Sequence, residues 1–270
     1  MAGAAVASLA LASGSAEAVV LIEGFESGLP AGSVLAPGSI GGTSGSVTNL
    51  APTEGAAFGF LTTEGIASIP GGTGGSALLL PAFSLAADDV LLLDLNFLTN
   101  DGNGFNDFAL VLLLDSVTTD PVAMLYTANT TTALAQASPC LGCPPGDLSP
   151  GVTLTPSPAF FDGVETGPLG GGTYGPGKFG GGAGGASGWV TSSYLPGAGS
   201  YQLYVAVSNV DDTEENSALA FDSIRFDSRS EPRSDDGHDG PVVPEPNSLL
   251  LMSFGAFCAP ICRRRRLVRR

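Results

Sequence analysis

Leu93-Asp94-Leu95-Asn96-Phe97 decides the fold. Its apolar residues take every second position, with Asp94 and Asn96 between them. Successive side chains of an extended chain point to opposite faces, so this period of two sorts apolar from polar groups. A helix would need its apolar residues three and four apart. Tyr201, Leu203, Val205 and Val207 repeat the pattern against Gln202, Tyr204 and Ser208. One buried and one wet face is the expectation for antiparallel sheets packed as a sandwich.

Outward from these two stretches, short apolar runs broken by Gly, Pro, Asn and Asp continue from Val19 to Phe226, with no long 3.6-residue periodicity. The expected strands are Val19–Phe25, Ala56–Thr62, Ala77–Leu85, Val90–Leu98, Asp107–Leu114, Val122–Thr127, Gly188–Tyr194, Tyr201–Val207 and Ala218–Phe226, and Ser33 to Pro52 has room for one or two more. So many short strands predict an all-β fold, an antiparallel β-sandwich of jelly-roll or concanavalin-like kind. Residues 130–187, which include Gly170-Gly171-Gly172 and Gly180-Gly181-Gly182, read as a loosely ordered Gly/Pro-rich insertion. Phe160, Phe161, Tyr174 and Phe179 are its candidate tethers, and Trp189 after it reads as core, with sugar stacking the alternative. The expected layout is a signal-peptide remnant at 1–18, the sandwich at 19–227, an acidic, proline-punctuated linker at 228–242 and a C-terminal signal at 243–270.

Ten Lys and Arg face 26 Asp and Glu, a formal net charge of −16. All arginines lie at Arg225 or later and Lys178 is the sole basic residue before them, so the body is an acidic surface that repels nucleic acid and anionic lipid. Carboxylates without basic partners suit divalent cations and an extracellular setting. Ala4–Ala12 is a small apolar run, and Ala16-Glu17-Ala18 is an A-x-A cleavage pattern; without a basic n-region it reads as the end of a signal peptide. Cys140 and Cys143 stand in a Pro/Gly loop that forbids the helix a redox C-x-x-C needs, so a loop-stapling disulfide is expected. Zinc would need two further ligands that the sequence does not offer. Cys258 and Cys262, spaced i, i+4 in the apolar tail, fit packing or lipidation alike.

Nucleophilic catalysis lacks a base: the one histidine, His238, stands in the acidic linker among Asp235, Asp236 and Asp239. Acids are plentiful enough for paired-carboxylate hydrolysis, but no pair stands out, and the expectation is a protein that is not an enzyme. Asn100–Asp107 fails the EF-hand spacing and reads as Asx-turns, while Asp211–Asn216 reads as a solvated hairpin loop. Asn129-Thr130-Thr131 matches a glycosylation sequon, a weak reading beside a bacterial-type tail.

That tail runs Val243-Pro244-Glu245-Pro246, then an uncharged apolar stretch to Cys262, then Arg263, Arg264, Arg265, Arg266, Arg269 and Arg270. As one hydrophobic helix of about 15 residues the stretch reaches ~22 Å, short of a ~30 Å hydrocarbon core, though flanking arginines can snorkel. The arginines form the expected cytoplasmic stop. The combination resembles the PEP-CTERM sorting signal of exported bacterial proteins, with Val243 to Pro246 matching the motif residue by residue; the same tail is also known as a C-terminal domain of ice-binding proteins. The resemblance implies a membrane-embedded exosortase as partner, anchoring through the tail before processing, and a final place at the cell surface or in an exopolysaccharide matrix. A hydrolase or an ice-binding surface protein on the same tail is the alternative, although no flat, regular Thr ladder is present.

Two further stretches, Ile22-Glu23-Gly24-Phe25-Glu26-Ser27-Gly28 and Leu219-Ala220-Phe221-Asp222-Ser223-Ile224, resemble the edges of carbohydrate-binding-module jelly rolls. There the first and last strands are neighbours, and acids on them hold a structural Ca²⁺, so the resemblance implies Glu23, Glu26 and Asp222 as ligands; no other cofactor is expected. The residues add an observation of their own. Leu219 and Phe221 share one parity and Ile224 and Phe226 the other, so the strand slips phase at Asp222–Ser223, which predicts a β-bulge.

Overall fold

The computed structural model describes residues 24–100, 107–129, 148–156, 165–172, 184–210 and 215–228. All lie in one compact unit ending at Ser230; a second begins at Glu231 and lies outside the described residues, with the linker, the sorting motif, the apolar tail and its arginines. Glu23, Cys140, Cys143 and the N-terminal signal lie outside them too. Among the described residues no helix is long and apolar enough to cross a membrane.

In chain order the strands are β1 (Val34–Leu35), β2 (Ile40–Gly45), β3 (Ala57–Thr62), β4 (Gly74–Leu79), β5 (Phe83–Leu85), β6 (Asp89–Thr99) and β7 (Phe108–Asp115). They continue with β8 (Pro121–Asn129), β9 (Thr153–Thr155), β10 (Gly185–Ala186), β11 (Val190–Tyr194), β12 (Gly199–Asn209) and β13 (Ser217–Ser228). One sheet runs β1-β4-β12-β7-β8, with β5 also on β12; the other runs β2-β3-β13-β6-β11-β9, with β10 also on β6. Each of these pairings is antiparallel. The chain changes sheet at β1–β2, β3–β4, β5–β6, β6–β7, β8–β9, β11–β12 and β12–β13, so the expected all-β sandwich is present. β12 and β13 lie in different sheets, as do β6 and β7, so neither pair is a hairpin.

The period of two survives as geometry. Leu93, Leu95 and Phe97 meet Leu203, Val205 and Val207 in the core between the sheets. The wet outer face does not survive: Asp94 and Asn96 are only 8% and 3% exposed. Two further apolar clusters explain this. Leu50, Phe58, Phe60, Leu98, Leu169, Ala186, Ala218 and Ala220 pack outside the β13–β6 sheet, and Ala67 and Ile69 fold over Leu110, Leu112, Met124 and Ala206 outside the other. Loops rather than a third sheet cover both faces.

The Gly/Pro-rich insertion supplies part of that cover. Within it, β9 pairs with β11, Leu169–Gly172 forms a 3₁₀ turn, and β10 pairs with β6. Its described residues are anchored: Leu154 and Leu169 are buried, and the Ser149 hydroxyl accepts the Met124 N–H at 2.9 Å. The four aromatic tethers expected there lie outside the described residues. The expected strand Ala77–Leu85 is two strands, since Pro81 cannot donate to a ladder; β4 ends before it and β5 pairs with the far end of β12. Val19–Phe25 is no strand where it is described: Gly24 and Phe25 are irregular, and Phe25 is buried edge-on against Phe221, ring centroids 5.3 Å apart. Trp189 is half-buried rather than fully core; it stands edge-on to Phe58 and donates its indole N–H to the Ala51 carbonyl at 2.8 Å.

Candidate functional site

The bulge expected in the last strand is there. The β13–β6 register shifts between Asp222 and Arg225, and Ser223 takes a left-handed φ of +50°. Phe221 and Ile224 can thereby both enter the core, and Asp222 is left on the outer face. It sits directly opposite Asp94 of β6, a cross-strand pair of like charges that repel. The bulge brings in the compensation. Arg225, the one basic residue among the described residues, bonds through Nη1 to the carbonyl and hydroxyl of Ser223 and reaches the Asp94 carboxylate at 3.9 Å. Thr191 donates its hydroxyl to the other Asp94 oxygen at 2.6 Å.

Asp222, with 0% exposure, turns its carboxylate to the loop before β3. Oδ2 accepts the Thr53 N–H at 2.7 Å, the Glu54 N–H at 3.0 Å and the Thr53 hydroxyl at 3.1 Å, while Oδ1 accepts the Ser223 N–H at 2.8 Å. Burial pushes this carboxyl above its ordinary range, and the four donors pull the other way. Glu26 reaches the same loop from the chain start, accepting the Ala56 N–H at 2.8 Å, and that bond holds its carboxyl below the usual range. Sequence reading therefore brought together two acids that do converge, on a four-residue loop. They converge by accepting backbone N–H groups, and Asp222 Oδ2, with three donors on it, has no lone pair left for an ion. Among the described residues no three His, Cys, Asp or Glu side chains gather as a cation shell. As placed, Glu26 and Asp222 fasten the loop, and Glu23, the third acid of the expected set, lies outside the described residues.

The same use of acids recurs elsewhere. Asp115 Oδ1 accepts the N–H groups of Val117 and Thr118, which lowers its pKa, and closes the turn between β7 and β8. Asp89 caps Ala86 and holds Ser228. Asp107, read from sequence as part of a turn, is fully buried; it accepts the Val210 N–H at 3.1 Å and the Ser217 hydroxyl at 2.7 Å. Its position at the head of an apolar strand was the one signal for that role. Asn129 is buried at the end of β8, which removes it as a presented sequon.

Fold and site define an acidic β-sandwich whose carboxylates do structural work, and one comparison bears on the tail. Residues 242–266 match the PEP-CTERM protein-sorting motif family, so the chain carries an exosortase sorting signal at its C-terminus and is directed to the cell surface. None of the curated proteins compared with the chain matches it. Among solved structures, the K3 cleaved adhesin domain of Lys-gingipain from Porphyromonas gingivalis W83 is 14% identical, with 77% of this chain and 99% of that one covered at a TM-score of 0.36. The K1 cleaved adhesin domain of the same protein is also 14% identical, over 77% and 97%, at a TM-score of 0.37.

Proposed function

We infer that this is a non-enzymatic surface or matrix protein whose acidic sandwich associates with extracellular polysaccharide after exosortase processes its tail. The observation that carries the reading is the sorting motif at 242–266. Two others support it. Among the described residues, the buried acids Asp94, Asp107 and Asp222 each hold hydroxyl or backbone donors. The body holds most of the acids of a chain whose net charge is −16, so it repels itself, which suits a hydrated matrix more than a nucleic acid or an anionic membrane. The test is fractionation of producing cells with mass spectrometry of the mature chain, followed by co-sedimentation with the cells' own exopolysaccharide. Cleavage near Val243–Pro246 and retention on the polymer are expected. A secreted form still ending at Arg270, or a pure protein that hydrolyses the polymer, refutes the reading.

A further inference from the structure

We propose that the cleft between the β3–β4 connection and the ends of β4 and β12 binds one hexose residue of a neutral or amino polysaccharide; this rests on the polysaccharide reading above and gives it a place. The open cleft has a volume of about 470 Å³ and is lined among the described residues by Thr63, Glu64, Ile66, Thr73, Asn209 and Asn216, with two glycines. Thr63 and Thr73 use their hydroxyls within the fold, which leaves Asn209, Asn216 and Glu64 as its polar side chains for a ligand. Asn209 is only 2% exposed, and its Oδ1 has no hydrogen-bond donor. The Asn216 side chain makes stretched contacts, 3.4 Å from Nδ2 to Glu64 Oε1 and 3.5 Å from Thr63 Oγ1 to its Oδ1, which a ligand can replace. Glu64 thus differs from Asp222, Asp115 and Glu26, whose oxygens accept backbone N–H groups.

Acceptors predominate here, beside an amide that both donates and accepts, and that mixture matches sugar hydroxyls. Ile66 supplies an apolar face. It is 85% exposed on the rim and leans over Gly38, where a Cβ would stand 2.8 Å from its Cγ1 and where φ is +84°. The volume decides against an ion. A few hundred cubic ångströms suits a small organic ligand, whereas a cation with its shell of 6–8 oxygens draws on several carboxylates and Glu64 is the one here. Charge decides the sugar class, since Glu64 within an acidic body repels uronates and sulfates.

The full chain in mild detergent is mixed with insoluble cellulose, chitin and chitosan, with alginate beads as the anionic comparison, and is titrated separately with CaCl₂. Glu64→Ala changes a half-buried side chain, and its unchanged melting point serves as the folding check; Asn209→Ala is the second variant. Binding to a neutral or amino polymer, little to alginate, and at least tenfold weaker binding by both variants is expected. Variants that bind like the parent overturn the cleft and leave the polysaccharide reading standing. A parent that binds none of the polymers overturns both. Stabilisation by CaCl₂ that Glu64→Ala abolishes, without sugar binding, makes this an ion site and overturns the proposal.

Discussion

Asp222→Ala removes the acceptor of four hydrogen bonds at once, and the outcome separates a loop clamp from a metal ligand. The Ser223 N–H is buried in the bulge and would be left unpaired, at about 1–3 kcal/mol. The donors of Thr53 and Glu54 lie on an exposed loop, where water replaces the carboxylate, so together they add about 1 kcal/mol. Relief of the buried charge, which raises this carboxyl's pKa, returns part of the total. The balance is a loss of about 1–3 kcal/mol, or ~3–10 °C in melting temperature for a domain of this size. Asp222→Asn should fall between the two, because its amide must set a donor against either Ser223 or the Thr53–Glu54 pair. The assay is thermal melting of the full chain followed by circular dichroism, with and without chelator. The clamp predicts that both variants melt lower and that chelator leaves the parent unchanged. A parent that loses as much to chelator as to Asp222→Ala refutes it, as does a variant that melts within 1 °C of the parent.

Gly59→Ala should be costly, since a Cβ there would stand under 3.0 Å from three ring carbons of Phe221; a loss of about 1–3 kcal/mol from overpacking is expected by denaturant melting, and near-parent stability would show that the Phe25–Phe221 pair can slide. Ser217→Ala takes a hydroxyl donor from the buried Asp107 and should cost about 1–3 kcal/mol, read as a shifted urea midpoint at unchanged slope. The pH dependence has two opposed parts. Glu26 and Asp115 are held below their ordinary pKa, so the folded state binds fewer protons there, and stability present above the unfolded carboxylate pKa is lost as pH falls through the folded values. Asp222 is held above its ordinary pKa, so its contribution is fullest below the unfolded value and declines as pH rises through the folded one. Glu26→Gln should therefore flatten the acid limb of the melting-temperature profile and Asp222→Asn the limb just above it; identical profiles for parent and variants would contradict both assignments.

How much of this was legible depends on which residues made which contacts. A period of two is imposed by backbone geometry alone, so Leu93–Phe97 and Tyr201–Val207 announced both sheets. The phase slip at Asp222–Ser223 announced the bulge for the same reason, because four apolar side chains had to reach one core from a strand that could not otherwise deliver them. What periodicity cannot encode is the partner on the outer face. Nothing within Asp94 or Asn96 tells that Leu169, some 70 residues later in a glycine-rich segment, helps bury their sheet. Pro81 was a visible break, yet only the pairing of Phe83–Leu85 with Gly199–Tyr201 shows why the chain uses it.

The acids show the limit most clearly. A chain of net charge −16 invites a search for cations, and the resemblance to carbohydrate-binding modules supplied a place to look. Glu26 and Asp222 reach the same loop, where they accept its N–H groups. The physical reason is that turns leave backbone N–H groups without a ladder partner, and a charged carboxylate is the strongest acceptor a side chain can offer them. Acidity on this surface is therefore partly the requirement of its own connections. An acid that caps nothing and lines a cleft is then informative, and among the described residues Glu64 is such an acid, facing an open cleft beside an amide oxygen without a donor.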